Sequence, residues 1–134
     1  MGGFRLNARI QADSRLVSVL GLCQLRLMND SRWPWFLLVP QRSDVEEIYH
    51  LTPLDQTLLT FETSETARAL KRITACEKIN IGTLGNRVRQ LHIHVIARDP
   101  DDPAWPDPVW GVGNAEPYDS NSAARMIAAM NDAF

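Results

Sequence analysis

The chain has 134 residues, 45% of them hydrophobic and 22% charged, with a formal net charge of -2. That length suits one domain, residues 1–134, able to bury a core without disulfides or metal, and without a basic excess there is nothing to steer it toward nucleic acid or an anionic membrane. Cys23 and Cys76 are far apart and form no Cys-x-x-Cys pair, which argues against a disulfide framework or zinc-thiolate site and predicts buried, reduced thiols.

The opening MGGFRLNARIQADSR has none of the apolar run of a secretory leader. No later stretch approaches the roughly 20 apolar residues that span a bilayer, so a cytoplasmic protein without a membrane partner is expected. Apolar and polar residues roughly alternate over Arg15 to Leu20 and again over Cys23 to Met28, with Gly21 between them, predicting two antiparallel strands joined by a tight turn. Asn29-Asp30-Ser31 supplies turn chemistry, and the apolar WFLLVP from Trp35 to Pro40, bounded by prolines, predicts a buried third strand of a meander.

A long helix is predicted from Pro53 onward, with Thr52 as its N-cap, Asp55 in its first turn and Lys71 and Arg72 near its far end. Its apolar stripe comprises Leu54, Leu58, Leu59, Phe61, Ala69, Leu70 and Ile73. Strand character returns in CEKINIGTL and LHIHVIAR, on either side of Gly85-Asn86-Arg87. The DPDDPAWPDPVWGVG that follows, with four prolines and two tryptophans, excludes regular structure and leaves aromatics that need something to pack against. DSNSAARMIAAMNDAF predicts a short C-terminal helix capped by Ser120 or Asn121. Strands, one long helix and further strands make an α+β fold with an antiparallel sheet of about five strands.

Two of the three histidines fall in RQLHIHVIAR. Side chains alternate along a strand, so His92 and His94 share a face with Gln90, open to ligand or solvent, while Leu91, Ile93 and Val95 face the helix. Three readings compete for the pair. They are simply structural, or a His-x-His platform for a metal lacking an evident third ligand, or a nucleophile with a neighbour that assists the leaving oxygen. Upstream, the turn at Gly85 and Arg87 could hold phosphate oxygens, though taken alone it is a weak signal and a plain hairpin is the simpler account. His50 has no assignable partner.

The segment Gln90-Leu91-His92-Ile93-His94-Val95-Ile96 resembles the signature of the histidine triad (HIT) family, His-φ-His-φ-His-φ-φ with φ apolar, and Gln90 replaces the first histidine. LMNDSRWPWFLLVPQR and KINIGTLGN are similar to the family's upstream strands, extending the resemblance over roughly Leu16 to Trp110. It implies a nucleotide-binding α+β fold, commonly a homodimer, that hydrolyses or transfers nucleotidyl groups at the α-phosphate of a nucleoside phosphate, phosphoramidate or dinucleoside polyphosphate, with a purine nucleotide or dinucleoside polyphosphate as ligand and no cofactor or metal. On this resemblance His92 is the nucleophile, His94 contacts phosphate and the leaving side, and Gln90 stands behind His92 to orient it. Asn80, Gly85 and Arg87 fall near the phosphates, Asn29 or Asp30 near the ribose, and Trp105 resembles a tryptophan that closes the substrate end. Because glutamine cannot titrate, the alternative implied is a nucleotide-binding protein with little or no catalysis.

Overall fold

A computed structural model describes residues 3–134. Strands β1 (Ser14–Val19), β2 (Cys23–Met28), β3 (Trp35–Pro40), β4 (Lys78–Gly82) and β5 (Ile93–Arg98) form one antiparallel sheet in the order β1-β2-β3-β5-β4. Helix α1 (Ala8–Asp13) precedes the sheet, α2 (Pro53–Thr74) connects β3 to β4, and α3 (Ser120–Ala133) ends the chain. The expected α+β fold is therefore present. The short α1 was not expected: six residues carry too little periodicity to read, although its cap is local, Asn7 accepting from the Arg9 and Ile10 N–H groups.

Helix α2 begins as its sequence dictates. The Thr52 hydroxyl accepts from the Asp55 N–H at 3.1 Å and Pro53 takes the first helical position. The helix stops at Ala75, which is left-handed at φ 53. Leu59, Ala69 and Leu70 bury against the sheet, whereas Leu54 and Phe61 of the expected stripe face outward, 70% and 61% exposed. Helix α3 is capped by Asp119, whose carboxylate accepts from the Ser122 N–H at 2.7 Å, one or two residues before the expected Ser120 or Asn121. The Asp119 side chain reaches the N3 amide, the usual partner of an N-cap oxygen.

Alternation assigns the two sheet faces. Leu25, Leu27, Phe36, Leu38, Ile93 and Val95 pack toward α2 and α3 in the main core. Trp35, Leu37, Val39 and Ile96 point the other way, into a second core that also holds Ile10, Trp33 and Val109. Phe4, Leu6, Trp110 and Val112 pack against its edge. Sandwiching between these two cores is why all six residues of β3 are buried. The histidine face is accordingly not open, because the N-terminal segment and the proline-rich loop after Arg98 cover it. That loop is anchored from beneath by Arg98, whose guanidinium bonds Asp102 at 2.7 and 3.1 Å, the Asp107 carbonyl at 2.7 Å and Asn80 at 2.8 Å.

Both cysteines are free and buried, and burial together with the adjacent Glu62 pushes the Cys23 thiol far up, so Cys23 is not a reactive thiolate. Glu62 itself is buried in α2 and accepts from the Leu22 and Cys23 N–H groups at 2.8 and 2.9 Å, closing the β1–β2 turn. Removing that carboxylate would orphan two buried donors. Glu62→Ala is expected to lose about 2–4 kcal/mol in urea unfolding, with Glu62→Gln recovering part of the loss.

Candidate functional site

The antiparallel register pairs Leu37 with His94 and Gly82 with His94, placing the second imidazole at the centre of three strands. His92 lies one residue before β5 begins, at its mouth, and its carbonyl accepts from the Thr83 hydroxyl at 2.9 Å. The two rings stand 5.0 Å apart, edge to face, with His92 7% and His94 4% exposed. Leu91, Ile93 and Val95 fill the helix-side core as the alternation predicted.

Each imidazole has one nitrogen engaged. His92 Nδ1 lies 2.7 Å from the Gln90 carbonyl. A carbonyl only accepts, so Nδ1 carries the proton and, in the neutral ring, Nε2 presents a free lone pair. His94 Nδ1 lies 2.9 Å from the Trp35 indole nitrogen, and an indole N–H only donates. Trp110 stacks edge-on against His94 at 5.2 Å and overhangs Gly82, where a β-carbon would come within 3.0 Å of the indole. A side chain at position 82 would require the Trp110 indole to give.

The remaining sequence-derived residues divide into those near the histidines and those engaged elsewhere. The Gln90 side chain makes no hydrogen bond to His92 among the described residues. Its amide accepts from the Asn7 N–H and donates to the Arg5 carbonyl, both at 2.8 Å, fastening the N-terminal segment, while its backbone does the orienting. Asn80 is on β4 and accepts from Arg98. Gly85 lines a polar cleft of about 380 Å³ with Thr83, Asn86, Arg89, Glu46 and Glu47, and neither histidine lines it. Arg87 is exposed and makes no hydrogen bond or ion pair among the described residues.

Asn29 and Asp30 hold the chain that returns from the proline-rich loop. Asn29 accepts from the Tyr118 N–H at 2.9 Å and Asp30 from the Glu116 N–H at 3.3 Å. Asp30 is also gripped by Arg32 at 3.0 and 2.8 Å. Burial works against its charge, but those bonds prevail and hold the carboxyl below its ordinary value. Trp105 packs over the Arg98 guanidinium at 6.0 Å rather than over the histidines; Trp110 holds that position. His50 proves to be local: its Nδ1 accepts from the Glu46 and Glu47 N–H groups at 3.2 Å. Among the described residues no cluster of three or more His, Cys, Asp or Glu side chains could hold a metal ion.

Sequence reading missed Trp35 and Trp110. Trp35 had one local signal, its alternation with Leu37, but its proximity to His94 follows only from the β3–β5 pairing.

A five-stranded antiparallel sheet carrying a buried His-x-His pair at its centre defines a small α+β protein of histidine triad architecture. The HIT domain family model matches residues 9–101, and the chain belongs to that family. Solved structures of histidine triad proteins agree along nearly the whole chain. One from Sinorhizobium meliloti 1021 is 55% identical, covering 98% of this chain and 97% of its own, with a TM-score of 0.96. One from Marinobacter aquaeolei VT8 is 40% identical, covering 98% and 96%, also at 0.96. A histidine triad nucleotide-binding protein from Sulfolobus tokodaii strain 7, termed hypothetical, is 12% identical over 90% of this chain and 83% of its own, at 0.70, and shares the fold. Among curated proteins nothing matches.

Burial, with a smaller repulsion from His92, lowers the His94 pKa from 6.5 to about 3. The unfolded chain takes up a proton near pH 6.5 that the folded chain refuses until about 3. The stability this site contributes is therefore full above about pH 6.5 and is lost as pH falls below it, at up to about 1.4 kcal/mol per pH unit. Urea unfolding between pH 5 and 7, above the carboxylate range, is expected to show that slope, and His94→Gln to lack it.

Proposed function

We propose that this protein is a nucleotidyl hydrolase or transferase that attacks the α-phosphate of a nucleoside phosphate, phosphoramidate or dinucleoside polyphosphate with His92, a purine nucleotide being the expected ligand. The observation that carries the reading is the Gln90 carbonyl on His92 Nδ1, which holds the ring with Nε2 free for in-line attack. Such orientation supplies part of what an activated nucleophile needs before any substrate arrives. Family membership and the nucleotide-binding description of the Sulfolobus relative favour a nucleotide as substrate.

Arg87, exposed and unengaged, and the backbone around Gly85 are assigned to the phosphate oxygens, where fixed donors stabilise developing charge. Asn80 is committed to Arg98 and takes no part in this assignment. Asp30 takes three donors on Oδ1 and one on Oδ2, which leaves Oδ2 a lone pair for a ribose hydroxyl. Trp110 replaces Trp105 as the tryptophan that closes the site. Because Trp110 and the N-terminal segment cover the imidazoles, one of them moves aside when substrate enters. That covering also favours a second reading, a nucleotide-binding protein without efficient chemistry. The free, buried cysteines suit a reducing, cytoplasmic setting. No helix is long and apolar enough to cross a membrane among the described residues.

Incubation with α-phosphate-labelled diadenosine triphosphate is expected to leave base-stable, acid-labile label on the protein. His92→Ala should lose all label and turnover while still binding AMP. AMP binding with neither label nor product in the unmutated protein would favour the second reading.

A homodimer is the expected assembly. Strand β4 is an unpaired edge on which Ile81 is 53% exposed, and Phe61 of α2 is a further apolar side chain 61% exposed. Ile81 also lines an apolar groove with Leu59 and Ile48. Edges of this kind are commonly covered by a second copy. Light scattering should give twice 15.1 kDa for the native chain and 15.1 kDa for Ile81→Asp with Phe61→Asp.

A further inference from the structure

Resting on the nucleotidyl-transfer reading above, we propose that Trp35 is a positioning residue that locks His94 as a fixed Nε2–H hydrogen-bond donor, and that the site therefore expels leaving groups that need no proton. The phosphoric anhydride is the substrate linkage this selects, over the phosphoramidate.

Trp35 is on β3 diagonally across from His94, with Leu37 opposite it in the ladder, and its indole N–H meets His94 Nδ1 at 2.9 Å. Both side chains are buried, and Trp33 packs edge-on against Trp35 at 6.1 Å, so neither ring has room to turn away. An indole has no acceptor, so it bonds only to an unprotonated Nδ1, and the single ring proton is placed on Nε2. Protonating Nδ1 would break that bond and bury a cation beside His92.

No other group at the site replaces the missing acid. Gln90 cannot titrate, and its amide is already committed to Asn7 and Arg5. Among the described residues no carboxyl, lysine or tyrosine bonds either imidazole of the pair. A leaving amine must gain a proton as its bond to phosphorus breaks, whereas a leaving phosphate departs as a stable anion.

The step balances without an acid. The His92 Nε2 lone pair forms the nitrogen–phosphorus bond as the bond from phosphorus to the bridging oxygen breaks, and that electron pair leaves on the phosphate oxygen. His94 Nε2–H hydrogen-bonds the departing oxygen and keeps its proton. Water then displaces His92 from phosphorus, and the surplus proton of the water passes to solvent.

Long-range proton–nitrogen NMR of histidine-labelled protein at pH 7 reads the tautomers directly. The two rings should be opposites, His92 protonated on Nδ1 and His94 on Nε2, with the His94 signals identified by their loss in His94→Phe. In Trp35→Phe the His94 ring should become a tautomer mixture. A His94 proton on Nδ1 in the unmutated protein, or an unchanged His94 spectrum in Trp35→Phe, overturns the role of Trp35. Should Trp35→Phe not fold, the indole N–H resonance decides instead, since it must shift in His94→Phe. In turnover, diadenosine triphosphate should exceed adenosine 5′-phosphoramidate in kcat/KM by about a hundredfold, the scale of a lost general acid. Trp35→Phe should lower kcat on the anhydride about tenfold with KM little changed. Equal or faster amidate turnover overturns the leaving-group inference. Inactivity on both substrates would overturn the catalytic reading and the leaving-group inference with it, while opposite tautomers would still uphold the lock on His94.

Discussion

The antiparallel pairing of β3 with β5, with Leu37 opposite His94, is the constraint on which the rest of the site depends. Side chains repeat every second residue, so a slip of one position would turn Trp35 and Leu37 to the helix side and bring Phe36 and Leu38 against the histidines. In the observed register the largest side chain of β3 reaches diagonally to His94 and supplies a donor to a buried nitrogen that would otherwise be orphaned. Leu37 fills the space directly across. The sheet thus resolves the difficulty of burying an imidazole by pairing it.

Two irregular segments complete what the sheet begins. The N-terminal residues are fastened by the Gln90 amide, and the proline-rich loop is fastened by Arg98 below and by Asn29, Asp30 and Arg32 at its far end. Arg32 reaches the Val112 carbonyl as well. These polar anchors allow loops rich in proline, glycine and tryptophan to hold fixed positions over the sheet without hydrogen-bonded secondary structure of their own. Gly82 is the matching adjustment on β4, since a β-carbon there would crowd the Trp110 indole.

Charge inside the protein is handled by the same rule, that a buried polar group needs a partner. Asp102 with Arg98 and Asp30 with Arg32 are ion pairs supplemented by backbone N–H groups. Glu62 is met by the backbone N–H groups of Leu22 and Cys23, and Arg26 by the Ser14 hydroxyl and carbonyl and by Gln24 rather than by a carboxylate. His94 follows suit by remaining neutral. The two imidazoles therefore differ through their partners, a carbonyl for one and an indole for the other, although they are only two residues apart in the same segment.

From sequence alone the three opening strands, the long helix with its Thr52-Pro53 start, the C-terminal helix and the division of His92 and His94 from Leu91, Ile93 and Val95 were all legible. These rest on interactions within a few residues, which spacing and side-chain type report directly. The resemblance carried by Gln90 to Ile96 also pointed to the family. Tertiary structure alone decided which partner each side chain found: Gln90 with Asn7, Trp35 with His94, Asp30 with Glu116, Trp110 with Gly82. The first three pairs are separated by 83, 59 and 86 positions. Strand register and the return path of a loop create such contacts, and neither leaves a local pattern in the chain. For that reason the sequence could place two histidines on one face but could not say that the face would be covered, or which nitrogen of each ring would be left free.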